Sequence, residues 1–140
     1  MAAGFELLEH PSDIGLLARG DSRERALIEA SKALTSIIVD PTGIRPTDQR
    51  PLEVTGADPA TQIVNWLNEL LFLFDAENLV FGDFAVDSWT PDGVRGRAWG
   101  ERFDPERHEL RTAVKAVTYH QFDLRTVAPG NWELRVFVDL

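Results

Sequence analysis

The 140-residue chain contains no cysteine, one methionine, one tyrosine and only two lysines. Without cysteine there can be no disulfide, no thiolate metal ligand and no thiol nucleophile, so the fold must hold by packing, in keeping with a reducing cytoplasm. The three histidines, His10, His108 and His120, are too few to close a structural zinc site unaided. Phosphate-cradling G-x-G-x-x-G and G-x-x-x-x-G-K loops are missing, as are a G-x-S-x-G elbow and an H-E-x-x-H pair, which removes the familiar signatures of nucleotide binding, serine hydrolysis and zinc proteolysis. No apolar run is long enough to span a bilayer, and the short lead before Phe5 fits no signal peptide, so a cytoplasmic protein without membrane contact is expected.

Positive charge is also scarce. Fourteen Lys and Arg stand against 23 Asp and Glu, a net charge of -9 that repels a phosphate backbone and suits a cation or a basic protein partner better. Apolar residues make up 44% and charged residues 26%, ordinary usage for one globular domain, which at this length removes roughly two-thirds of its surface from water.

Apolar runs over residues 5–8 and 14–18 flank a polar connection containing Pro11, which predicts two strands. Ser22 is placed to cap a helix in which Leu27, Ala30, Ala33, Leu34, Ile37 and Ile38 recur at spacings of three and four. Residues 40–50 read as a surface loop and 52–55 as a strand. Asp58-Pro59 then opens a second helix, apolar on nearly every face from Ile63 to Phe74 and expected to be the buried central one; Asn65, Asn68, Glu69 and Asp75 are its polar exceptions. Alternating segments over 79–89, 94–103, 113–127 and 132–138, with turn signals at Pro91-Asp92-Gly93 and Pro129-Gly130-Asn131, predict a meander of about four strands. The expected fold is therefore α+β, a mostly antiparallel sheet of about six to seven strands packed with two α-helices in a single layered domain over residues 1–140.

Asp13 stands at the mouth of an apolar strand beside His10, and Asp139 closes the final one, with Leu140 expected to add an α-carboxylate. If these strand ends approach each other, the oxygens form a hard, mutually repelling cluster that a Ca²⁺ or Mg²⁺ ion would neutralise. Taken singly, an acidic residue at a strand end is ordinarily just solvated.

Five stretches in register resemble the archease family over nearly the full length. They are E-L-L-E-H-P-S-D-I-G at 6–15, W-L-N-E-L-L-F-L-F at 66–74, G-E-R-F-D-P-E-R-H-E-L at 100–110, V-K-A-V-T-Y-H at 114–120 and V-D-L at 138–140. The family pattern carries Thr-Ala where Pro11 and Ser12 stand, and the proline removes a backbone donor there. Archeases resemble accessory proteins of the RtcB-type tRNA-splicing RNA ligase, a metal-dependent enzyme that works through a guanylylated histidine. The resemblance implies a chain that promotes guanylylation and repeated turnover without itself catalysing ligation, and that meets nucleic acid only through the ligase. It also implies a divalent-cation site at Asp13, Asp139 and Leu140, calcium-type, with magnesium or manganese as substitutes, oxygen ligands that suit a hard ion. Lys115, His10, His120 and Glu69 match further motif positions; Lys115 reads either as a cross-strand ion pair or as a functional cation, and the others as supporting hydrogen bonds or packing. Two readings compete with the ligase cofactor: a small metal-dependent hydrolase or phosphotransferase, against which the lack of an obvious general base counts, and a general chaperone or adaptor.

Overall fold

Two capping side chains set where the helices begin. In the computed structural model, which describes residues 3–9 and 12–140, the Ser22 hydroxyl accepts the Arg25 N–H at 3.0 Å and opens α1, Arg23–Ile38. The Asp58 carboxylate does the same for the Thr61 N–H at 2.8 Å, with Pro59 as the first residue of α2, Pro59–Glu77. Asn78, in the left-handed region at φ 59°, closes α2 by donating its N–H to the Leu73 and Phe74 carbonyls. His10 lies outside the described residues.

Seven strands lie among the described residues: β1 Gly4–Glu9, β2 Asp13–Gly20, β3 Asp48–Thr55, β4 Leu79–Thr90, β5 Gly93–Arg102, β6 Ala116–Ala128 and β7 Asn131–Asp139. All pairings are antiparallel, and the expected α+β class with two helices holds, but the strands divide into two sheets, β1-β2-β7-β6 and β3-β5-β4. The second half is accordingly two hairpins in different sheets and not one meander. The reason lies in residues 103–114, which form a strand of neither sheet. The Asp40 N–H donates to the Glu109 carbonyl, and the Arg111 and Thr112 N–H groups donate to the Ile38 and Ile37 carbonyls, so the segment satisfies the last carbonyls of α1 while crossing between sheets. β3 also begins earlier than its apolar residues suggest, running through Pro51, which an edge strand tolerates because one side of the ladder is open.

One continuous core joins both helices to both sheets. Ala26, Leu27, Ala30 and Ala33 of α1 meet Leu16 and Ala18 of β2 and Val136 and Val138 of β7, all with no exposed surface. On α2, Ile63, Trp66 and Leu67 are buried, whereas Phe72 is 57% exposed, so the helix is not enclosed all round as its composition suggests. Among the described residues no helix is long and apolar enough to cross a membrane.

Trp66 ties the helices together. Its indole N–H donates to the Ser31 hydroxyl at 3.0 Å, that hydroxyl donates to the Leu27 carbonyl at 2.8 Å, and the ring edge fills the space above Gly96, where a Cβ would come within 2.7 Å of it. Trp66→Phe removes one buried donor and part of the ring, and should lower stability by about 2 kcal/mol, read as a lower urea midpoint with unchanged slope.

Candidate functional site

The register of β2 on β7 decides which strand ends meet. Asp13 lies opposite Asp139, followed by Ile14 opposite Val138 and Gly15 opposite Phe137. The Leu140 N–H donates to the Ser12 carbonyl at 3.4 Å, which makes Ser12 and Leu140 the bonded neighbours and leaves Asp13 and Asp139 on a pair without mutual backbone bonds. In such a pair the Cα atoms approach to about 4.5 Å and both side chains leave the sheet on one face. Because Val138 is buried in the core, the alternation of the strand turns Asp139 and Asp13 to the opposite, outer face. There Asp139 is exposed and Asp13 half-buried, while the Leu140 side chain packs partly against the core.

β6 supplies the third neighbour. Ala116 pairs with Asp139, and the Lys115 N–H donates to the Asp139 carbonyl at 2.8 Å. Lys115 therefore sits beside the carboxylates through its main chain. It precedes β6 instead of lying within a strand, its side chain is exposed, and its ammonium forms no ion pair among the described residues, so the cross-strand ion pair is not formed. Of the other sequence candidates, Glu69 is half-buried on α2.

His120 reaches the same outer face through a break in the ladder. Thr118 pairs with Phe137 and the next pair is Asp123 with Arg135, so residues 119–122 stand opposite Val136 alone. Gln121 takes φ 51°, and its carbonyl accepts the Arg135 Nε–H at 3.0 Å, which holds the bulge. His120 turns its ring edge-on to Phe137, centroids 5.8 Å apart, and its N–H donates to the Thr118 hydroxyl at 3.2 Å. Phe137 is 2% exposed yet lies outside the main core cluster, because it covers Gly15 on the outer face; a Cβ there would come within 3.0 Å of the ring. His120 is thus a packing neighbour of the pair next to the two aspartates.

Among the described residues no three His, Asp or Glu side chains gather closely enough to hold a metal ion by themselves. Two opposed carboxylates fit a hard divalent cation only if main-chain oxygen and water complete the shell, which Ca²⁺ accepts readily with its six to eight oxygens. Softer transition metals find no cysteine sulfur anywhere in the chain.

Two groups of residues escaped the sequence reading. Asn68, a polar break in an apolar helix, grips the Val117 backbone from both sides: its amide N–H donates to the Val117 carbonyl at 3.3 Å and its carbonyl accepts the Val117 N–H at 3.0 Å. The second group holds the crossing segment. His108 is a fully buried side chain whose Nδ1 accepts the Asp104 N–H at 2.8 Å, so Nε2 carries the proton and donates to Glu101 at 2.9 Å. Glu101 also receives the Arg45 N–H at 2.7 Å and the Arg107 guanidinium. Burial alone would raise its pKa, but these donors outweigh burial and hold it down at about 2. The sequence signal was the 100–110 stretch itself, which carries Glu101, Asp104, Arg107 and His108.

An acidic strand-end pair carried on a two-sheet, two-helix scaffold defines a small α+β protein of the same fold as the solution structure of Methanobacterium thermoautotrophicum protein 1598. That structure superposes with a TM-score of 0.82 at 34% identity, over 98% of this chain and 99% of that one. The Archease protein family (MTH1598/TM1083) matches residues 5–140. "Protein archease" of Pyrococcus furiosus is 40% identical across 97% of this chain and 98% of its own length, and that of Sulfurisphaera tokodaii 35% identical across 96% of each. The chain belongs to the archease family.

Proposed function

We propose that this chain is a cation-binding accessory protein of an RtcB-type RNA ligase, which promotes guanylylation of the ligase and its repeated turnover and does not join RNA itself. The observation that carries the reading is the register that sets Asp13 opposite Asp139, with the Lys115 N–H on the Asp139 carbonyl. Asp13 and Asp139 supply side-chain oxygens, and Leu140 supplies main-chain oxygen. The bound ion, Ca²⁺ in first place with Mg²⁺ or Mn²⁺ as substitutes, supplies positive charge where the carboxylates repel one another. The Lys115 ammonium stays free to meet an anionic group of the partner or its nucleotide. With a net charge of -9 the chain meets RNA only through the ligase, and the setting is the cytoplasm.

The test is a ligation time course with ligase well below RNA concentration. Adding this protein should carry product far past one equivalent of ligase; product stalled near one equivalent in its presence would refute the role. Phosphoester hydrolysis by the isolated protein, lost in Asp13→Asn, would favour a metal-dependent hydrolase instead.

A further inference from the structure

We infer that Asn68 is a positioning residue for the cation site, holding the start of β6 against Asp139 from helix α2. The inference rests on the cation-binding reading of Asp13 and Asp139. It starts from a weakness in β6. This strand is the outer member of the β1-β2-β7-β6 sheet, so no further strand supports its free edge. The bulge over residues 119–122 then separates its first pairs from the rest of the ladder, leaving only Ala116 with Asp139, Val117 with Val138 and Thr118 with Phe137. A ladder of three pairs at a strand end frays unless something else holds it.

Asn68 provides that hold. The Val117 N–H and C=O point off the free edge, and the Asn68 carboxamide offers them an acceptor at 3.0 Å and a donor at 3.3 Å, the same complement a neighbouring strand would offer. One residue before Val117, Ala116 faces Asp139; two before, Lys115 donates its N–H to the Asp139 carbonyl. The clamp therefore fixes the main chain that orients Asp139 and presents Lys115. Asparagine inside a helix costs helical propensity relative to alanine, and here two main-chain bonds offset that cost.

Asn65 makes the comparison clean. It lies one turn earlier on α2, and its amide donates to the Thr55 carbonyl of β3 at 2.8 Å, a bond of the same kind to the other sheet. The experiment compares Ca²⁺ titration calorimetry of the full-length wild type, Asn68→Ala, Asn68→Leu and Asn65→Ala, with amide exchange at Val117 and Lys115. Asn68→Ala should bind Ca²⁺ roughly tenfold more weakly and lose exchange protection at both amides, while Asn65→Ala keeps wild-type affinity. Asn68→Leu, which refills the side-chain volume without the bonds, should match Asn68→Ala and guards against a cavity effect. Wild-type affinity in both Asn68 variants, or an equal loss in Asn65→Ala, overturns the positioning role while leaving the cation site standing. Absence of Ca²⁺ binding in the wild type itself removes the cation reading, and this inference with it.

Discussion

Asp139→Asn should abolish measurable Ca²⁺ binding and at the same time make the cation-free protein slightly more stable. The two effects have one origin. Like charges directly opposite on neighbouring strands destabilise by about 0.2–1 kcal/mol, and Asp13 and Asp139 face each other in the closer-spaced kind of pair. Removing one charge relieves that repulsion, so in chelator the midpoint of thermal unfolding should rise by about 1–4 °C. With Ca²⁺ at a hundred times its dissociation constant the order reverses. The wild type gains about 2.7 kcal/mol by mass action, on the order of 10 °C for a chain of this size, and Asp139→Asn gains nothing. Ligase stimulation should fall with the binding. A variant that remains as sensitive to Ca²⁺ as the wild type would place the ion elsewhere. Asp139 is the better probe of the pair because its side chain is exposed, so the substitution disturbs little packing.

The largest stability loss away from the core is expected at Glu101. Its carboxylate is 7% exposed and receives the Arg45 N–H, His108 Nε2–H and Arg107; Glu101→Ala strands the fully buried His108 donor. Breaking a buried ionic network from one side costs about 3–5 kcal/mol, and since Arg45 and Arg107 can turn to water the lower end applies. The pH dependence follows from the lowered pKa. Glu101 titrates near 4.5 when unfolded and near 2 when folded, so below 4.5 the unfolded chain binds the extra proton. Its contribution is complete above pH 4.5 and disappears as pH falls through 2. The gap in urea midpoint between wild type and Glu101→Ala should thus be full at pH 7, smaller at pH 3 and nearly closed at pH 2; a gap constant with pH would refute the charged network. The same cluster anchors the segment that carries the chain from β5 to Lys115, so the variant should also weaken Ca²⁺ binding at the proposed site.

Local signals located the elements well and their partners poorly. Ser22 and Asp58 mark both helix starts because an N-cap depends on residues within one turn of itself. Pro91-Asp92-Gly93 and Pro129-Gly130 mark two hairpins for the same reason. What joins the hairpins was invisible, since the division into two sheets depends on α1's last carbonyls capturing Arg111 and Thr112 from seventy residues away in sequence, a span of about that order. The bulge was hidden too, because residues 119–122 continue a polar and aromatic mixture that reads as strand, and only Gln121 at φ 51° reveals the break. In the candidate site, motif position named Asp13 and Asp139, but their register, the Lys115 main-chain contact and the Asn68 clamp are long-range facts that no short window contains.

The pairing of β2 with β7 has a further consequence for how the molecule is made. During synthesis residues 13–20 emerge early and residues 131–139 late, so the N-terminal hairpin waits with one flank of β2 unsatisfied while nearly the whole chain is produced. Leu16 and Ala18, later among the most deeply buried side chains, spend that interval without their β7 neighbours. Closure between such distant segments carries a large loop entropy and slows folding. The carboxylate pair is therefore assembled by a pairing that spans most of the sequence, and the proposed ion would fasten an early-made strand to a late-made one.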